Sequence, residues 1–316
     1  MRILIIGAGV TGSLFASSLA GSRDKLERVF KESIDIRVLA RGETFQRLSE
    51  NGLKIQHVVQ EITTIDSIPV VKTLESGDIY DFVLVFLRKT QVSDLMEDLK
   101  SNRSGYFVFA GNNGRAFENI CPPLKKQRVS LAFASVGGKR EGDTVFSVHG
   151  KKPLITVGAN KTTIKKIRLL KRIMRIAGCS LKISWSMESW LNHHLALVLP
   201  LALALYRDGG DNISLSQNNG LMKNTVKAIK EGSSALRRLG HPVRPGKLRL
   251  SLLMPDFIIK RKLTVLLGSP MGKLLIYDHC MAAPEEMKEL ANELRTAIRG
   301  DEKPRPNLEY LLDQNN

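Results

Sequence analysis

Residues 2–12, Arg-Ile-Leu-Ile-Ile-Gly-Ala-Gly-Val-Thr-Gly, restrict the fold more than any other stretch of the chain. The apolar run reads as a buried strand. A G-x-G-x-x-G loop follows at once, and then Leu14, Phe15 and Leu19 at helical spacing. Strand, glycine loop and helix in this order mark a dinucleotide-binding βα unit. Gly7 permits a tight turn, Gly9 lets backbone N–H groups approach a pyrophosphate, and Gly12 lets the helix pack close to the strand. The unpaired N–H groups and positive dipole end of that helix would face the anion.

The next elements keep the same rhythm. Residues 22–32 are charged and predict a prolongation of the first helix, with Leu26, Val29 and Phe30 on its buried side. Residues 34–40 alternate as a second strand that ends at Ala40-Arg41. An NAD-type site places an acid here for the ribose 2′-hydroxyl. Arginine instead suits a 2′-phosphate, so NADP(H) is the expected cofactor. A short helix over 42–50 and a hairpin over 53–55 and 61–63 come next. Residues 82–87 form an unbroken apolar run, the pattern of a parallel strand buried on both faces. This strand delivers Arg88 and Lys89 to its carboxyl end, where ligands of such sheets bind. Further strands are expected at 106–110, 129–135, 144–146, 154–157 and 181–183. The repeated βα order predicts an α/β doubly wound sheet over residues 1–184.

From residue 185 to 316 the strand pattern is absent and helices are expected, giving an all-α second domain. Residues 190–206 are apolar on most faces and carry Pro200, which predicts a kinked central helix. Residues 221–239, 247–254, 263–267 and 284–298 suggest more helices, and the proline-bearing tail from Arg299 is expected to fray. Such apolar helices suit pairing across a homodimer. No apolar run reaches the roughly 18 residues of a membrane span, so no membrane partner is expected.

Charge and cysteines narrow the function classes. The net charge is +17, with its densest run at residues 165–175, where Ile and Leu alternate with Lys and Arg at helical spacing. The pattern is that of an amphipathic helix with a solvated basic face. Aromatic interleaving is missing, so no specific nucleic-acid partner is expected. The charge suits a small anionic carboxylic-acid substrate. Cys121, Cys179 and Cys280 are far apart and show no ligand spacing, which points to reduced thiols in the cytoplasm and to no metal site.

The chain resembles the ketopantoate reductase (2-dehydropantoate 2-reductase) family over most of its first domain. The resemblance rests on the glycine loop, Leu39-Ala40-Arg41, residues 87–94, Asn113-Gly114 and residues 137–142. It implies a Rossmann-type domain followed by a helical one, with reduction of a 2-keto acid by NADPH in the cleft between them. It also implies that Gly7, Ala8, Gly9, Val10, Thr11 and Gly12 hold the pyrophosphate. Arg41 and Arg88 would hold the 2′-phosphate, Arg88 standing where the family commonly has lysine. Asn113 would lie near nicotinamide or substrate, and Gly138 near the cofactor.

The second domain departs from the family pattern. The family's catalytic lysine follows a tryptophan, with asparagines four and eight residues later. Aligned on Trp190, those places hold Asn192, Ala196 and Pro200; aligned on Pro200, they hold Leu191, Leu195 and Leu199. A ketone reduction needs a proton and a charge stabiliser at the nascent alkoxide. His194 is the candidate acid, with Asn192 beside it in sequence, and Asp278-His279 is a further acid/base candidate. Two functions stay open: a reductase, and a non-catalytic NADP(H)-binding sensor or regulator on the same fold.

Overall fold

The structure, a computed structural model, describes residues 1–112, 124, 126–282 and 284–313, without the side chains of Lys89, Thr90 and His279. Asn113, Gly114 and Cys121 lie outside the described residues. The chain divides into two compact units, Met1–Met187 and Glu188–Asn316.

The first unit is built on an eight-stranded sheet. Its strands are β1 (Arg2–Ile6), β2 (Asp35–Leu39), β5 (Val70–Val71), β6 (Phe82–Val85), β7 (Phe107–Ala110), β8 (Val129–Ala134), β11 (Leu154–Gly158) and β12 (Ser180–Ser184). Their order across the sheet is β12-β11-β8-β7-β6-β1-β2-β5. From β5 to β8 every pairing is parallel. Residues 3–6, 82–85 and 107–110 are buried throughout, as strands covered on both faces must be. β11 pairs antiparallel to β8, so the doubly wound sheet is mixed.

Helices α1 (Val10–Ala20), α2 (Arg23–Phe30), α3 (Gly42–Asn51), α4 (Lys89–Ser101) and α5 (Ile164–Ile176) accompany the sheet. α1 and α2 are separate, against the expected continuous helix, because the chain turns at Gly21-Ser22. After that turn Leu26 is fully buried, but Val29 is exposed rather than packed. α5 follows its sequence pattern. Ile167, Leu170, Ile173 and Met174 are buried, while Lys165, Lys166, Arg168, Lys171, Arg172 and Arg175 are exposed.

The hairpin expected near residues 53–63 is part of something larger. β3 (Leu53–His57) and β4 (Ile62–Asp66) join β9 (Gly137–Glu141) and β10 (Thr144–Val148) in a four-stranded sheet, order β4-β3-β10-β9. It packs on α1 and is tied to it by Ser17 Oγ, which donates to Asp66 Oδ2 at 2.5 Å. Within it His57 Nδ1 lies 3.1 Å from His149 Nε2, and burial together with that neighbour holds the His57 pKa down.

The second unit is helical: α6 (Met187–Arg207), α7 (Asn212–Gln217), α8 (Asn219–Arg238), α9 (Gly246–Leu252), α10 (Asp256–Leu267), a short irregular helical run over 270–281, α11 (Pro284–Ala297) and α12 (Pro306–Leu312). α6 runs through Pro200 and buries Leu195, Leu199, Leu203 and Leu205 in the unit's core. It is long and apolar enough to cross a membrane by length and composition, contrary to the sequence count, yet 78% of its apolar window is buried in the fold. The tail does not fray up to residue 313. Pro306 sits at the start of α12, where its missing N–H costs nothing, and Leu308, Leu311 and Leu312 are buried against the core.

Candidate functional site

The parallel register sets one edge of the large sheet. Ile6 of β1 pairs with Leu39 of β2 and with Val85 of β6. Gly7, Ala40-Arg41 and residues 86–88 therefore leave the sheet side by side, at the carboxyl ends of three adjacent strands.

The three glycines serve different ends there. Gly7 takes a φ of +97°, and a Cβ on it would come within 2.4 Å of the Phe86 carbonyl oxygen. A Cβ on Gly12 would lie 1.9 Å from the Gly7 carbonyl oxygen, so the first turn of α1 and the loop leave no room for one. Gly9 is exposed, and a Cβ there would meet nothing within 4 Å. Two glycines shape the loop from inside, and the third faces open space. Gly9 is also the N-cap of α1 and no side chain caps that helix. The N–H groups of its first turn, over Val10, Thr11 and Gly12, are thus left for an anion. The Ala8 carbonyl is held from behind, accepting from Ser13 Oγ at 3.1 Å and from Arg140 Nη2 at 2.6 Å. An open cradle at an uncapped helix start fits the pyrophosphate of a dinucleotide.

Arg41 follows the buried Ala40 and stands at the N-cap of α3. Its Nη2 pairs with Asp98 Oδ2 of α4 at 3.2 Å, and both side chains are about half exposed. Arg88 is exposed at the N-cap of α4, where its backbone N–H donates to Gln91 Oε1 at 3.2 Å. Both arginines thus sit on the edge that carries the glycine loop. Gly138 is required by the backbone. Its φ is +130° and a Cβ would lie 1.9 Å from the Phe146 carbonyl oxygen, so the β9–β10 pairing itself demands glycine.

Arg140 lies within residues 137–142, which carry part of the family resemblance, but that resemblance implied a role there only for Gly138. Besides Ala8, it donates to Ser13 Oγ at 3.1 Å. Its Nη1 is buried without a hydrogen-bond partner among the described residues. Burial first, then the charge of Arg47, pushes its pKa down to about 10.

In the second unit the helical spacing of Trp-x-x-x-His is explained by contact. Trp190 and His194 stack with ring centroids 5.3 Å apart, as residues four apart on a helix can. His194 is half-buried. His193 is fully buried and its Nε2 donates to the His241 carbonyl at 3.1 Å. Burial holds its pKa down, and its Nδ1 is buried without a hydrogen-bond partner among the described residues. Asn192 is buried, and its Oδ1 has no hydrogen-bond partner among the described residues. Asp278 opens a short helix, Asp278–Met281, and its Oδ2 is likewise buried without a partner among the described residues. Among the described residues no three His, Cys, Asp or Glu side chains gather as metal ligands would.

Comparison with known proteins agrees with this architecture. Residues 3–162 of the 316 match the family profile described as ketopantoate reductase PanE/ApbA. Among solved structures, 2-dehydropantoate 2-reductase from Geobacter metallireducens GS-15 superposes with a TM-score of 0.72 at 17% identity, covering 100% of both chains. D-mandelate dehydrogenase in ternary complex with NADH and anilino(oxo)acetate gives 0.72 at 14% identity, covering 99% of this chain and 96% of its own. A dimeric ketopantoate reductase from Staphylococcus aureus gives 0.67 at 11%, covering 99% and 96%. A search of curated protein sequences finds no match. At these identities the superpositions speak for the fold, a Rossmann-type sheet followed by a helical unit. The profile spans half the chain, starts in β1 and runs past β11, and on that ground the chain belongs to the ketopantoate reductase PanE/ApbA family.

Proposed function

We propose that the protein is an NADPH-dependent reductase of a small 2-keto acid of the ketopantoate type, a reaction that would serve pantothenate biosynthesis in the cytoplasm. The observation that carries this is the uncapped start of α1 opening at Gly9, with Arg41 and Arg88 on the same strand edge. In this role Gly7 to Gly12 hold the pyrophosphate and the two arginines take the 2′-phosphate, which planar guanidinium groups bind bidentately. Bound NADPH supplies the hydride that reduces the keto carbon. The protein must then stabilise the alkoxide and give it a proton. His194 is the donor, since an imidazole can exchange a proton near neutral pH. Asn192 stands by with an amide whose buried Oδ1 has no hydrogen-bond partner among the described residues and is open to a ligand. Asn113 keeps its candidate place near the nicotinamide from sequence alone.

The test is loss of reduced-cofactor absorbance in stopped flow, with a panel of 2-keto acids. Oxidation of NADPH by at least one is expected, with turnover lost in His194→Ala. Tight NADPH binding without any turnover would overturn the reductase and favour the second reading, a non-catalytic NADP(H)-binding sensor. One observation favours that alternative: α6 carries no lysine at any position.

A homodimer formed through the second unit belongs to the same proposal. Leu250 on α9, Leu253 just after it and Phe257 on α10 are 65%, 74% and 69% exposed, more apolar surface than a solvated helix pair needs.

A further inference from the structure

We infer that Arg140 is a positioning residue for dinucleotide binding, acting through the Ala8 carbonyl to aim the Gly9 N–H at the pyrophosphate. The inference rests on the dinucleotide assignment above and adds a residue from a different sheet to it.

The geometry follows from one peptide unit. The only cis peptide among the described residues is Arg244–Pro245, so the Ala8–Gly9 bond is trans. In a planar trans peptide the C=O and the N–H point in opposite directions. The Ala8 C=O is fixed on the inner side by Arg140 Nη2 at 2.6 Å and by Ser13 Oγ at 3.1 Å. The Gly9 N–H must then point away from both of those donors, and Gly9 is itself exposed. Among the described residues the Gly9 N–H makes no backbone hydrogen bond. It is a donor prepared on one side of the peptide by an acceptor satisfied on the other.

Serine alone would hold the carbonyl with a neutral bond. Arginine adds a charge-assisted one and brings it from a second sheet: Arg140 lies within β9, paired with Val145 of β10. Ser13, 1% exposed, bridges the two, donating to Ala8 and accepting from Arg140. The guanidinium is partly withdrawn from solvent, and the charges of Arg47 and Asp143 act on it in opposite senses. A cation buried behind the loop also raises the potential in front of it, where two phosphate charges would sit.

Two ligands separate this role from general support of the fold. 2′-phospho-ADP-ribose carries the pyrophosphate, whereas 2′-AMP carries the 2′-phosphate without it. Calorimetry on the full chain is expected to show R140M weakening 2′-phospho-ADP-ribose by about tenfold or more. It should leave 2′-AMP within about twofold, with R140K recovering part of the loss. If R140M proves unfolded by circular dichroism, R140K takes its place, since it keeps the charge while removing the guanidinium that reaches the Ala8 carbonyl. The same split between the two ligands is expected, at smaller size. Equal weakening of both ligands, or no weakening of either, overturns the role of Arg140 and leaves the cofactor assignment standing. Failure of the wild-type chain to bind 2′-phospho-ADP-ribose overturns both.

Discussion

At the scale of single residues, the glycine loop separates folding from binding. Gly9→Ala adds a methyl into open space at an ordinary φ of −71°. Its thermal midpoint should equal that of the wild type, while NADPH binding measured by fluorescence titration should be lost. Gly12→Ala pushes a methyl onto the Gly7 carbonyl and should cost about 1–3 kcal/mol of stability in a denaturant titration. Arg41 poses a different question, because Asp98 already occupies its Nη2. An exposed pair of this kind is worth at most about 1 kcal/mol, so a phosphate can displace it. Asp98→Asn should therefore tighten NADPH binding by up to about fivefold and leave NADH unchanged. Arg41→Ala should lower the NADPH-to-NADH affinity ratio by about tenfold. An unchanged ratio in Arg41→Ala would refute the 2′-phosphate assignment.

Among the elements, the joint between α8 and α12 depends on a charge cluster. Asp301 accepts from Arg238 Nε and Nη2 at 2.6 Å each and from Arg305 Nη1 at 2.9 Å. The Arg238 hydrogen bonds first, then those of Arg305, hold its pKa down at about 2 against an ordinary 3.8. A carboxylate with a lowered folded pKa favours the folded state fully above its unfolded value and loses that share as pH falls through the folded one. The stability advantage of the wild type over Asp301→Asn should thus be constant above about pH 5 and shrink between about pH 4 and pH 2. Thermal melts of both proteins across that range would show it; a gap that does not narrow would mean the cluster contributes by packing alone. The same joint shows what was hidden in the tail. Leu308, Leu311 and Leu312 have helical spacing and Pro306 has the position of a helix start. The charged, proline-bearing residues before them masked both signals.

For the whole molecule, legibility followed the distance over which a pattern is written. The strands at β1, β2, β6 and β7 and the glycine loop are local patterns, and the structure has them where periodicity puts them. The four-stranded sheet is not local: Lys54 pairs with Thr144, and no periodicity in either segment names the other. The same holds for Arg140, whose partner Ala8 lies at the far end of the domain's sequence. On α6 the Trp190–His194 spacing was visible, whereas the Asn192 acceptor, unpartnered among the described residues, needed coordinates to be seen. The exposed Leu250, Leu253 and Phe257 carry the prediction at this scale. Sedimentation should find a dimer, and Phe257→Lys should shift it to monomer without lowering the thermal midpoint of the monomer. A monomeric wild type at micromolar concentration would remove the homodimer.

The pairing of β3 with β10 also orders events in time. β10 cannot find β3 until the chain has been made through Val148, and closing so long a loop costs entropy before any contact repays it. Arg140 arrives on the neighbouring strand with it. The glycine loop leaves the ribosome well before β9 and β10, yet its Ala8 carbonyl gains its cationic partner only when the small sheet closes. A nascent chain would hold the nucleotide motif long before it could grip a nucleotide, so cofactor binding can serve as a clock for the completion of the first unit.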